Sequence, residues 1–219
     1  MNHSSLNDTF TRRHFLKGAS TAVAVGALDI SRFAHGAGAN DELKVALIGC
    51  GGRGSGAANQ ALSTYNQGPI KLVAMGDVHE DRLTSSLSNL QKNHAERIDV
   101  PKERQFLGFD AFKQAIEVCD VAILATPPGF RPMMFEEAIR QGKHVFMEKP
   151  VASDAAGVRK VLAAAEEAKK KNLKVGVGLQ RHHQAGYIAT LNRLWDGAVG
   201  DIHTMRAVRR AGNATLKST

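Results

Sequence analysis

The residues from 49 to 54 read Gly-Cys-Gly-Gly-Arg-Gly, directly after the apolar run Lys44–Ile48. A glycine-x-glycine-x-x-glycine segment at a strand-to-helix turn suits one task, holding a diphosphate against bare backbone. Gly49 permits a tight turn, Gly51 lets the main chain approach the phosphates, and Gly54 lets the helix lie close on the strand. Gly52 and Arg53 lie inside the same loop and belong to the candidate set. The amide groups at the start of the following helix would face the anion. Asp77 stands 23 residues beyond Gly54, at the end of the next apolar run. An acid there can accept hydrogen bonds from the ribose hydroxyls of an adenosine and repels a 2′-phosphate, so NAD(H) is favoured over NADP(H). A lone glycine motif is weak, but a preceding strand, a following helix and a placed acid together make it specific.

Three further segments complete a pattern: Ala-Thr-Pro-Pro at 125–128, Glu-Lys-Pro at 148–150, and Val-Gly-Leu-Gln-Arg-His-His at 177–183. With the glycine loop they resemble the glucose–fructose oxidoreductase, inositol dehydrogenase and rhizopine catabolism (Gfo/Idh/MocA) family, over roughly Leu43 to Arg210. The resemblance implies a Rossmann domain followed by a larger open-sheet domain, and oxidation or reduction of sugars and polyols. It places Lys149 at the nicotinamide end of the cleft. Removing hydride from a secondary alcohol also requires removing the hydroxyl proton, and a lysine desolvated beside an oxidised nicotinamide can join that relay. Thr126, Pro127 and Glu148 would border the dinucleotide, and Gln180 and Arg181 would face the substrate. His182 and His183 lack a carboxylate or cysteine at supporting spacing, so no metal is expected. Arg131 is a departure, because many exported members carry histidine there. Members are also longer, with a further aspartate and histidine from the second domain, so this chain is expected to be truncated in that domain. The expected function is an NAD(P)-dependent oxidoreductase of sugars or polyols, or its nucleotide-binding half, homo-oligomeric if full length. The alternatives are a non-catalytic dinucleotide-binding fragment and an NAD-assisted glycosidase.

The elements that must position these residues alternate. Strands are expected at 44–49, 71–77, around Phe106, at 121–127, 144–150 and 174–180, with helices at about 54–65, 80–93, 110–118, 132–141, 153–171 and 185–195. Gly142 would stop the fourth helix and Ser153 would cap the fifth. Short apolar strands between helices imply an α/β fold with a doubly wound parallel sheet, spanning residues 43–180. Residues 200–210 alternate like a strand with one exposed face, and read as part of an incomplete α+β substrate domain at 181–219.

The first 39 residues read as an address. Arg12-Arg13 is followed by Phe15, Leu16 and Lys17, then by a short, mildly apolar stretch and Ala37-Gly38-Ala39. That order resembles a twin-arginine export signal with a small-residue cleavage site, which makes the export machinery a partner and the periplasm the destination. That machinery moves folded proteins, and a chain that must load a cytoplasmic dinucleotide has reason to use it. The net charge of +8 falls to about +6 without this segment. No basic stripe interleaved with aromatics appears, so no nucleic-acid partner is expected. Lys169–Lys171 complements the dipole at the end of a helix. Cys50 and Cys119 form no CxxC pair and read as buried thiols rather than a disulfide.

Overall fold

The computed structural model describes residues 42–206; the expected export signal lies outside them. Six strands, β1 (Leu43–Ile48), β2 (Ile70–Asp77), β3 (Gln105–Leu107), β4 (Val121–Leu124), β5 (His144–Met147) and β6 (Val175–Val177), form one sheet in the order β3-β2-β1-β4-β5-β6. Every pairing is parallel. The helices between them are α1 (Gly52–Leu62), α2 (Glu80–His94), α3 (Ala111–Glu117), α4 (Arg131–Arg140) and α5 (Ala155–Lys170), with α6 (Ala185–Trp195) after the sheet. This is the doubly wound Rossmann arrangement expected from the sequence. The winding reverses between β1 and β4, so a crevice opens at their carboxyl ends, where such folds bind ligands.

The near-continuous apolar strands follow from burial on both faces. Val45 and Leu47 of β1 point into one core with Ala57, Ala58 and Leu62 of α1 and Leu83, Leu87 and Leu90 of α2. Ala46 and Ile48, one residue out of phase, point into the other with α3, α4 and α5, centred on Phe112, Ile116, Phe135 and Ile139. Full burial of a side chain such as Leu47 contributes about 2–3 kcal/mol, so the register of β1 is strongly fixed. A slip of one residue would exchange its two faces.

Several boundaries differ from expectation. α1 begins at Gly52, so the third glycine lies within the helix rather than opening it. α5 is capped by Asp154 rather than Ser153: Asp154 has the extended backbone a cap requires, and its Oδ1 accepts a hydrogen bond from the Gly157 N–H at 2.7 Å. β6 is shorter than expected, and Gln180–His183 turn into a 3₁₀ segment. Residues 201–206 form no strand; alternation alone is not enough without a neighbouring strand to pair with. The remainder of that expected strand lies outside the described residues. α6 forms where expected but buries none of its side chains, and Trp195 is 77% exposed.

Candidate dinucleotide site

The four loop glycines divide by what surrounds them. Gly49 has φ +91°, and a Cβ there would lie 2.7 Å from the Ala125 carbonyl carbon and from the Thr126 nitrogen, because the end of β4 presses against the turn. A Cβ on Gly54 would lie 1.8 Å from the Gly49 oxygen. These two are glycine because the fold leaves no room. Gly51 and Gly52 meet nothing within 4 Å, so no packing within the chain requires them to be bare. Gly51 is the N-cap of α1, with extended backbone and no side chain to satisfy the first-turn amides. Those amides lack intrahelical partners, and the helix dipole favours negative charge there. An open approach to unprotected amides at a helix start fits the diphosphate of a dinucleotide. Ser55 ties the base of this turn down, donating to Gly51 O or to Ser86 Oγ on α2, at 3.1 and 2.7 Å.

Asp77, the last residue of β2, faces the turn. Its Oδ2 accepts a hydrogen bond from the Cys50 N–H at 2.6 Å and its Oδ1 one from the His79 N–H at 2.9 Å. It therefore braces the glycine turn, and each oxygen keeps a lone pair for a ribose hydroxyl. Burial, and next the charge of Asp77, push the Cys50 thiol well above its ordinary value. Burial also pushes Cys119 up to about 12. Both are buried free thiols, as expected.

Between the ends of β1, β2 and β4 lies a cleft of about 470 Å³, lined among others by Gly49, Gly51, Asp77, Thr126, Pro127 and Arg131. Phe109 and Phe130 stand at its wall with ring centroids 6.4 Å apart. The cleft thus offers apolar surface beside a helix terminus and a carboxylate, the needs of a base, a diphosphate and a ribose in turn.

Lys149 lies on the same edge of the sheet, two residues past the end of β5, exposed and outside this cleft. Glu148 beside it is buried: its carboxylate faces Arg53 of α1, with Nη2 2.5 Å from Oε1, an ion pair at an angle that makes no hydrogen bond. Gln180 and Arg181 are exposed in the turn after β6, where the Arg181 guanidinium lies 4.8 Å from the Tyr187 ring centroid.

The fold brings Gly49, Gly51, Asp77, Thr126 and Pro127 together around one cleft and leaves Gln180 and Arg181 apart from it. Sequence reading singled out Arg131 only as a departure from the family pattern, and did not place His79, Arg82 and the two phenylalanines at the cleft. His79 and Arg82 follow the acid at the end of β2, and that proximity is the one signal that could have found them.

Comparison with known proteins agrees with this fold. The profile of the Gfo/Idh/MocA oxidoreductases, described as an oxidoreductase family with an NAD-binding Rossmann fold, matches residues 43–178. An inositol 2-dehydrogenase of Ralstonia nicotianae is 36% identical over 147 residues, covering 63% of this chain and 43% of the relative. One of Serratia proteamaculans is 31% identical over 159 residues, covering 73% and 43%. The chain thus spans less than half the length of these curated relatives. Among solved structures, a scyllo-inositol dehydrogenase of Lactobacillus casei with bound NAD(H) and scyllo-inositol superposes with a TM-score of 0.56 at 22% identity, over 74% of this chain and 43% of that one. A myo-inositol 2-dehydrogenase of Lactobacillus plantarum gives 0.55 at 25% identity, over 74% and 43%. With the profile matched across the sheet and the glycine turn, the chain belongs to the Gfo/Idh/MocA family of NAD-binding oxidoreductases.

Proposed function

We propose that residues 43–180 bind NAD(H) at the glycine turn and form the cofactor half of an oxidoreductase acting on a secondary alcohol of a sugar or polyol, with inositols the nearest substrate class. The observation that carries this reading is the pair Gly51 and Gly52, with open space where side chains would stand, at an uncapped helix start beside the cleft that Gly51 and Asp77 both line. Bound NAD would supply the hydride acceptor. Lys149 takes and returns the hydroxyl proton, and Gln180 and Arg181 contact the substrate. Residues 181–219 begin the substrate domain, and residues 1–39 direct export by the twin-arginine route.

The test is calorimetry of the purified chain with NAD and NADP, beside Asp77→Asn. Asparagine can still accept from the Cys50 N–H but loses the charge. NAD binding should weaken about 10- to 100-fold, the scale of a hydrogen bond to a charged group, and NADP binding should weaken less. Lys149→Ala should leave the NAD dissociation constant nearly unchanged. In a protein carrying a complete substrate domain, the same substitution should lower turnover roughly 100-fold, the scale of a lost acid–base group. A chain that does not bind NAD, or an Asp77→Asn variant equally weakened for both dinucleotides, would overturn the assignment.

A further inference from the structure

The Glu148 carboxylate is an anomaly that dinucleotide contact does not explain. It is 3% exposed, yet it sits at the sheet edge where a ligand would be met, and its Oε1 has no hydrogen-bond partner. Burying a carboxylate costs several kcal/mol unless a counter-charge stands by. Three separate parts of the chain converge on the segment that bears it. Arg53, on the first turn of α1, places Nη2 2.5 Å from Oε1. Gly178, just past β6, leaves room for it: a Cβ there would lie 2.7 Å from Oε1 and 2.8 Å from Oε2. Arg131, buried at the start of α4, donates from Nη1 to the Pro150 carbonyl. Burial lowers the pKa of Arg131, and the nearby Glu148 charge opposes that effect. The tripeptide 148–150 is thereby held by its first side chain from the glycine turn and by its last carbonyl from the β4–α4 turn. Lys149 lies between the two grips.

We propose that Arg53 and Glu148 are positioning residues, a brace that ties the diphosphate turn to the segment bearing Lys149, so that the lysine's placement depends on the turn's. The inference rests on the proposed role of Lys149 for its meaning in catalysis, but the brace itself can be tested without cofactor. Arg53 is more exposed than its partner, at 43%, so losing Glu148 leaves a cation that water can solvate. Losing Arg53 leaves a buried anion that water cannot reach. The two losses are therefore unequal, and removing both charges should be milder than removing the arginine alone.

The experiment is a double-substitution cycle in the purified chain: Arg53→Ala, Glu148→Gln, both together, and Arg53→Lys. Thermal unfolding is one readout. The other is the NMR signal of Lys149 after ¹³C reductive methylation, assigned by its absence in Lys149→Arg. The expected order of melting temperature is Arg53→Ala lowest, the double variant recovering several degrees, and Arg53→Lys near the unsubstituted chain. The Lys149 signal should shift alike in Arg53→Ala, Glu148→Gln and the double variant, and return in Arg53→Lys. Additive losses of stability, or a Lys149 signal unmoved by Arg53→Ala and Glu148→Gln, would overturn the brace. Titration of the unsubstituted chain with NAD separates the two ideas: failure to bind would sink the functional reading while leaving the brace to stand or fall on the cycle.

Discussion

At the scale of single residues, the glycine turn separates two kinds of necessity. Gly54 is glycine because the Gly49 oxygen occupies the place of its Cβ, at 1.8 Å. Gly51 has no such neighbour. Gly54→Ala should therefore lower stability by more than about 2 kcal/mol, as an unrelieved backbone clash does. Gly51→Ala should leave stability within about 0.5 kcal/mol of the parent and weaken NAD binding at least about 10-fold by blocking the approach to the amides. Urea unfolding and calorimetry on the two variants check both halves, and a Gly51→Ala chain binding NAD normally would mean that the diphosphate lies elsewhere. The glycines and Asp77 were legible in the sequence because their chemistry is local to one strand-turn-helix unit and the strand after it. The pairing of Arg53 with Glu148 was not legible. Those residues stand 95 positions apart, and only the order in which β1, β4 and β5 enter the sheet brings them together.

At the scale of elements, the helices were read more securely than their ends. The apolar spacing of α5 is plain, but Ser153 and Asp154 are both good caps, and backbone geometry at Asp154 decides between them. β3 was faint because it is an edge strand of three residues, partly exposed. The described part of the Gly200–Arg210 alternation, through Arg206, forms no strand, because a strand is defined by its partner and the described part has none. Charges on α4 give a pH prediction. Arg140 donates two hydrogen bonds to the Glu137 carboxylate, at 2.8 and 2.5 Å, and with a smaller contribution from Gln141 this holds its pKa to about 2. A carboxyl held lower in the folded chain than its ordinary value of 4.5 contributes stability above that value, and the contribution is lost as pH falls toward 2. Solvent screening keeps the amount to about 1 kcal/mol. Glu137→Gln should be less stable than the parent at pH 7, with the gap closing between pH 4.5 and 2. Denaturant unfolding across that range checks it, and a gap that stays flat would show that the pair contributes nothing.

At the scale of the whole molecule, the sheet order places the carboxyl ends of all six parallel strands along one edge, and the glycine turn, Asp77, Lys149 and Gln180 all lie at or just past strand ends there. That edge was foreseeable once alternation was recognised, because a parallel sheet admits no other arrangement. The proposed export belongs to this scale too, since a twin-arginine route would carry the chain already folded around its ligand. Replacing Arg12 and Arg13 together by lysine should hold the precursor in the cytoplasm, and fractionation that still finds the double variant in the periplasm would count against the signal. The division among the glycines also bears on descent. A lineage that kept this sheet but gave up its dinucleotide would be free to fill positions 51 and 52 with any side chain, while 49 and 54 stayed fixed by crowding. Drift at the first pair without drift at the second would mark homologues that have retired from nucleotide chemistry and persist only as scaffolds.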